Sequence, residues 1–155
     1  MKRRKLFCFL FALCMMLVCI PSAPAFAEES APPEAEDEIV NSVGLISNTW
    51  RSISKGTKTI YLTAGTESAS TMYRIGLTEM YVQRSANGTS GWSSEKFVGN
   101  NIDGNTDSSE IEDFPITVVG GYYYRVYLKH YARATSASNS LIEEIPKYSN
   151  VLWVP

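Results

Sequence analysis

The clearest alternation of hydrophobic and polar positions lies at residues 122–134 (YYYRVYLKHYARA). Its even positions carry core-type side chains such as Val126 and Leu128, whereas its odd positions alternate tyrosine with arginine or lysine. A period of two with one apolar and one amphipathic side is typical of a strand with one face in the core and one in water. The pattern therefore predicts an antiparallel strand over these residues.

Weaker alternation predicts more strands earlier in the chain. Residues 60–64 alternate in the same way, and a turn at 55–57 predicts residues 45–53 as their antiparallel partner. Residues 72–83 are also strand-like, but their apolar positions change parity halfway along. A bulge near Thr78-Glu79 would reconcile the two halves.

The remaining segments complete an all-β prediction. Residues 85–91 (SANGTSG) form a turn around Asn87-Gly88, with a return strand over 92–98. A last strand is expected over 149–154. A short helical turn is expected over 141–145, with Ser140 as its cap, Glu143 completing the capping box and Pro146 ending it. About seven short strands predict a single antiparallel β-sandwich that is immunoglobulin-like or fibronectin type III-like. A small barrel is the alternative.

The N-terminal end carries an export pattern. A basic start (MKRRK), fifteen uncharged residues at 6–20 and an Ala25-x-Ala27 exit predict a signal peptide over residues 1–27. The apolar run is shorter than the ~20 residues of a membrane-spanning helix, which disfavours a retained anchor. Val18 before Cys19 disfavours a lipoprotein, because that position requires a small residue.

The segment after the exit site differs from the rest of the chain. Residues 28–38 (EESAPPEAEDE) hold six acids and no large apolar side chain, which predicts a disordered acidic linker. Residues 39–155 are then the sandwich domain.

The composition of the chain excludes several functional classes once the signal peptide and the linker are considered separately from the domain. All three cysteines fall within residues 1–27, so the predicted mature chain has no disulfide and no cysteine ligand. From Ile39 onward the chain holds ten basic and ten acidic side chains, and this neutral balance argues against nucleic acid as a partner. No second long apolar run follows, so we expect no membrane span after signal cleavage. The expected location is extracellular, with loose association to the cell surface as an option.

Two stretches resemble known proteins. Residues 120–128 (GGYYYRVYL) resemble the penultimate strand of fibronectin type III domains, and Tyr124 matches their tyrosine corner. Residues 75–77 (IGL), 82–85 (VQRS), Gly91-Trp92 and the Tyr-Arg-Val strand together resemble a family of small secreted Firmicutes proteins with a domain of unknown function. The resemblance covers most of residues 42–134, and the tail at 135–155 departs from it. It implies secretion and a sandwich fold. Its motifs carry no known active site, so it adds nothing about chemistry.

Catalytic and metal motifs are weak. His130, the only histidine, lies on the inward parity of its strand, and no G-x-S-x-G elbow accompanies it, so we expect a packed residue and not a general base. Residues 101–112, from Asn101 to Glu112, are rich in oxygen ligands. They differ from an EF-hand loop at the first and sixth positions, where Asn and Thr replace Asp and Gly. An ordinary loop is preferred to a calcium site, and we expect no catalytic residue, metal or cofactor.

The odd face of the tyrosine-rich strand is the candidate ligand surface. Tyrosine and arginine are enriched at binding hot spots, although tyrosine is also common in strands for packing reasons alone. Trp50, Trp92 and Trp153 are expected to be core or sheet-edge aromatics. The hypothesis is a non-enzymatic module that binds an extracellular glycan or protein, and a small hydrolase with an unrecognised site is the less favoured alternative. The candidate residues are Tyr123, Arg125, Tyr127, Lys129 and Tyr131.

Overall fold

A computed structural model describes residues 44–155, and the predicted signal peptide and acidic linker lie outside the described residues. The described chain is all-β, and its strands form one curled antiparallel sheet. No helix long and apolar enough to cross a membrane occurs between residues 44 and 155. The strands are β1 (Asn48–Gly56), β2 (Thr59–Ser85), β3 (Ser93–Thr117), β4 (Tyr122–Arg133), β5 (Ile142–Tyr148) and β6 (Leu152–Val154).

The sheet is organised around the long β2–β3 hairpin. β3 pairs along one edge of β2 from residue 59 to residue 84. The other edge of β2 is shared, because β1 pairs with residues 59–67 and β4 pairs with residues 74–85. A register shift between Glu67 and Met72 separates these two parts of β2. β5 and β6 then follow one another along the free edge of β4.

Both parts of β2 contribute to the main core. Leu62 from the first part and Val82 from the second belong to one buried cluster, so the curl of the sheet brings its inner face together. Burying these side chains is the main driving force available to a domain without disulfides. The fully or almost fully buried hydrophobic members are Ile53, Ile60, Leu62, Ala64, Leu77, Met80, Val82, Ile116, Val118, Tyr124, Val126, Leu128 and Val154.

The predicted bulge in β2 is confirmed. Register shifts occur between Leu77 and Met80 toward β3, and between Thr78 and Tyr81 toward β4. Glu79 has a φ of 51°, in the left-handed region that a regular strand does not use. The bulge returns the apolar positions to the inner face after the change of parity.

Residues 44–155 form six strands where the sequence predicted about seven. The strands predicted over 60–64 and 72–83 are continuous in β2, and the return strand predicted over 92–98 continues to Thr117 as β3. The polar residues between them have the composition of loops, yet they pair with one another across the hairpin. Cross-strand pairing of two such segments depends on contacts that local composition does not encode.

The helical turn predicted over 141–145 is wrong, because these residues begin β5. The reason is a long-range contact of Glu143, which is 2% exposed. Its Oε2 accepts hydrogen bonds from the backbone N–H groups of Leu45 (2.6 Å) and Ile46 (2.9 Å). Glu143 therefore ties the start of the described chain to the sheet instead of completing a helix cap.

Candidate functional site

The two-sided character predicted for β4 is confirmed. Along this strand the even positions from Tyr124 to Ala132 are buried and the odd positions are half-buried. All five candidate residues therefore lie on one outer face of the sheet. We call this surface, with the side chains that neighbouring strands add to it, the outer face of β4.

A row of aromatic side chains crosses the outer face at right angles to the strands. Tyr127 on β4 pairs in register with Tyr81 on β2 and with Tyr148 on β5, and Tyr81 pairs with Phe97 on β3. Ring centroids are 5.1 Å apart for Tyr81 and Phe97, and 5.3 Å apart for Tyr127 and Tyr148. At a strand spacing of ~4.8 Å the row extends ~14 Å across the sheet. We call these four residues the aromatic row.

The rings of the aromatic row are tilted against one another and not stacked in one plane. The interplanar angle is 46° for Tyr81 and Phe97, and 56° for Tyr127 and Tyr148. Phe97, at the β3 end of the row, is 52% exposed. Burial raises the pKa of the Tyr127 phenol, which is consistent with its place in the middle of the row.

Arg125 lies beside the aromatic row and is held on three sides. Its guanidinium carbon is 4.0 Å from the ring centre of Tyr148 and 4.3 Å from that of Trp92, and its Nε donates to Gln83 Oε1 at 2.8 Å. Stacking between two rings fixes the plane of the guanidinium. Trp92 and Gln83 are parts of the outer face that the sequence did not assign to it.

Lys129 lies on the other side of the aromatic row, and its positive charge is paired with two carboxylates. Its Nζ donates to Glu79 Oε1 at 2.9 Å and to Glu144 Oε2 at 3.3 Å. The hydrogen bond to Glu79 raises the pKa of Lys129, and this effect is larger than the opposing effect of burial. Tyr131, one step further along β4, is in register with Glu144.

Tyr123 ends the outer face at the β6 side. Its ring centre is 4.9 Å from that of Trp153, which is 41% exposed. Trp50 lies on the edge strand β1, where its ring covers Gly65. The structure thus brings Tyr123, Arg125 and Tyr127 together with aromatics of other strands, and it places Lys129 and Tyr131 beside carboxylates.

His130 is fully buried and bridges two parts of the sheet. Its Nδ1 lies 2.9 Å from Thr66 Oγ1, and the Thr66 hydroxyl donates to the Gly76 carbonyl at 2.9 Å. Since Thr66 has one hydroxyl hydrogen, we assign the ring hydrogen to Nδ1, which donates to Thr66. Nε2 has no hydrogen-bond partner among the described residues.

The pKa of His130 is lowered to about 4. Burial is the main cause, and the positive charges of Arg51 and Lys147 act in the same direction. The backbone of Gly65 has the opposite effect and raises the pKa. The imidazole is therefore neutral at neutral pH. A cleft of about 240 Å³ lies elsewhere, and His130 is not part of its lining. That lining consists of Val82, Glu95, Lys96, Ile116, Thr117, Val118 and Val119.

The loop interpretation of residues 101–112 is wrong, because the whole segment belongs to β3. Asn101 Nδ2 donates to Ser109 Oγ at 3.1 Å and to the Glu110 carbonyl at 3.3 Å. The side-chain amide of Asn101 therefore makes hydrogen bonds within β3. Between residues 44 and 155 no group of three or more His, Asp or Glu side chains is positioned to hold a metal ion.

Tyr124, singled out by the resemblance, makes the contact that a tyrosine corner requires. The side chain is fully buried, and its hydroxyl donates to the carbonyl of Val119, five residues earlier, at 2.6 Å. No family model, curated protein or solved structure matches this chain.

Proposed function

We propose that this protein is a secreted, non-enzymatic binding module with a fibronectin type III-like sandwich fold. In this view β1, the first part of β2 and the last part of β3 form one layer. The second part of β2, the first part of β3 and β4 to β6 form the other. The shared core of Leu62 and Val82 and the hydrogen bond of Tyr124 support this arrangement. The basic, apolar and Ala-x-Ala segments of residues 1–27 support secretion.

The observation that carries the binding function is the aromatic row. Four aromatic side chains from four strands share one register, and Phe97 at its end is 52% exposed. A strand needs no such alignment for its own stability, since each cross-strand pair contributes only about 0.2–1 kcal/mol. Aromatic and arginine side chains are the residue types that dominate binding energy at protein interfaces.

A protein is the better ligand class for this surface. A sugar ring stacks on a flat aromatic plane, whereas the two ring pairs of the row are tilted by 46° and 56°. Tilted rings present edges, faces and hydroxyl groups that fit an irregular protein surface. The row also ends at β3, whose outer edge has no strand partner among the described residues. An unpaired edge beside exposed aromatics is a common site for protein association.

The test compares two phenylalanines of β3 that differ in position. Phe97 is 52% exposed and belongs to the aromatic row, while Phe114 is 42% exposed and lies outside it. We would label the chain from Glu28 onward and its Phe97→Ser and Phe114→Ser variants. Binding to intact cells of the producing organism, to protease-treated cells and to purified cell-wall sacculi is then measured.

We expect saturable binding to intact cells, and protease treatment of the cells should abolish it. Phe97→Ser should weaken the binding about tenfold or more, which corresponds to a loss of at least ~1.4 kcal/mol of binding free energy. Phe114→Ser should bind like the unchanged chain. Retained binding to sacculi would instead identify an envelope glycan. Equal losses in both variants, or no saturable binding to any preparation, would refute the assignment of the aromatic row as the ligand surface.

A further inference from the structure

Two arginines face each other at the end of the outer face, away from the aromatic row. Arg74 on β2 pairs directly with Arg133 on β4. Their guanidinium carbons lie 5.3 Å and 5.7 Å from the ring centre of the same residue, Tyr73. Like charges directly opposite on an antiparallel pair repel each other. The arrangement needs a compensating negative charge to be favourable.

The described part of the chain does not supply that charge. Arg84 pairs with Glu95, and Lys129 pairs with two glutamates, whereas no carboxylate between residues 44 and 155 forms an ion pair with Arg74 or Arg133. Arg133 Nη2 donates to two backbone carbonyls of the following loop, Ser136 (3.3 Å) and Ala137 (2.8 Å). Arg133 Nε is buried and has no hydrogen-bond partner among the described residues. Gly104, which faces Arg74 from β3, has no side chain to contribute.

The fixed position of Arg133 makes the pair suitable for an oxyanion. The loop carbonyls orient the Arg133 guanidinium, and the guanidinium carbons of both arginines lie within 6 Å of the Tyr73 ring centre. Guanidinium groups bind carboxylate and phosphate oxygens through planar, charge-assisted hydrogen bonds. Two guanidinium groups within 6 Å of one ring centre, on residues paired in register, offer several such donors in one region of the surface.

The chain itself carries carboxylates within reach of this position. Residues 34–38 include Glu34, Glu36, Asp37 and Glu38. The described chain starts close by, because Leu45 packs against a buried cluster of Met72, Ile75 and Ala132. Ala134 packs against the same cluster, so both chain neighbours of Arg133 take part in it. Leu45 lies seven positions after Glu38, with six residues between them. An extended segment of that length spans up to ~23 Å, which exceeds the ~10 Å thickness of a sheet layer.

We propose that the Arg74–Arg133 pair is an anion-binding site and that its occupant is the acidic segment 34–38 of the same chain. The segment docks its carboxylates on the two guanidinium groups and neutralises the end of the outer face. This inference goes beyond the proposed function, and its test uses no external ligand, so either one can fail alone.

The experiment follows the Nε–Hε resonances of Arg74 and Arg133 by NMR in the chain from Glu28 onward, since all described residues remain in it. A first variant converts Glu34, Glu36, Asp37 and Glu38 to their amides. A matched variant converts four acids of β3, and so changes the net charge equally at another place. Those four are Asp107, Glu110, Glu112 and Asp113.

We expect both arginine resonances to shift in the first variant and to stay in place in the second, with unchanged backbone spectra in both. In the unchanged chain, 1 M NaCl should move the two resonances to their positions in the first variant, because the screening length then falls to ~3 Å. Inorganic phosphate should perturb the first variant at lower concentrations than the unchanged chain, since no segment competes there.

Identical arginine resonances in the unchanged chain and the first variant would overturn the proposal. If phosphate then shifted both chains at the same concentrations, the pair would be a site for a free anion and not for segment 34–38. Equal shifts in the two variants would assign the effect to overall charge, which also contradicts docking.

Discussion

The two faces of β4 show how one strand separates the side chains of the core from those of the proposed ligand surface. The inner face carries Tyr124, Val126 and Leu128, which are completely buried and belong to the main core. The outer face carries Arg125 and Tyr127, which are half-buried and lie against side chains of three other segments, namely β2, β5 and the residues before β3. Inner side chains gain free energy from leaving water. Outer side chains gain little from folding and keep surface available for a partner.

The comparison also shows where the sheet holds its polar groups. On the inner face the His130 ring is tied to Thr66 inside the sheet, and the Tyr124 hydroxyl donates to the Val119 carbonyl. On the outer face Lys129 reaches two glutamates at the surface, where solvent screens the ion pairs. Changes to the two faces should therefore differ in size and in the property that they affect.

The largest difference should appear when one large side chain is removed from each face. Leu128→Ala should lower the free energy of unfolding by about 3 kcal/mol, because it removes buried methyl groups and leaves a cavity. Tyr127→Ala on the outer face should cost about 1 kcal/mol, the value of its cross-strand contacts. Urea denaturation followed by tryptophan fluorescence measures both. A loss for Tyr127→Ala as large as that for Leu128→Ala would contradict the division of the faces.

The buried histidine should make the inner face sensitive to acid. With a pKa of about 4 when folded and about 6.5 when unfolded, His130 binds more protons in the unfolded chain between these values. Stability is therefore complete above pH 6.5 and falls as the pH drops toward 4. The loss attributable to His130 between pH 7 and pH 4.5 should be on the order of 2 kcal/mol.

Urea denaturation at both pH values, with the unchanged chain and with His130→Gln, isolates this effect from that of the carboxylates. The variant will be less stable at pH 7, since it disturbs the contact with Thr66. Its stability should nevertheless change less with pH than that of the unchanged chain. Equal pH dependence in the two proteins would show that His130 does not remain neutral in the folded state.

The inner face of β4 could be predicted from the sequence because it is a local pattern. The alternation at 122–134 and the change of parity near Glu79 are written in consecutive residues, and the structure has both features. The contact of Tyr124 was also available, because its partner Val119 is only five residues away.

The outer face could be predicted only in part, because most of it is assembled across strands. Tyr81, Phe97 and Tyr148 join Tyr127 through three strand registers that no local pattern specifies. The same reason explains the error at 141–145. Glu143 has the spacing of a helix cap, but its carboxylate accepts hydrogen bonds from Leu45 and Ile46, 98 and 97 residues away.

The smallest predicted difference between the faces concerns a single hydroxyl group. Tyr124→Phe keeps the buried ring and removes the hydrogen bond to Val119, which should cost about 1 kcal/mol of unfolding free energy. Tyr123→Phe is the matched change on the outer face. Its ring contact with Trp153 stays, so the loss should be about 0.3 kcal/mol or less. Thermal and urea denaturation of the two variants under one set of conditions make the comparison. Equal stabilities would mean that the Tyr124 hydroxyl gains nothing over its hydration in the unfolded chain, and that the inner face is held by apolar burial alone.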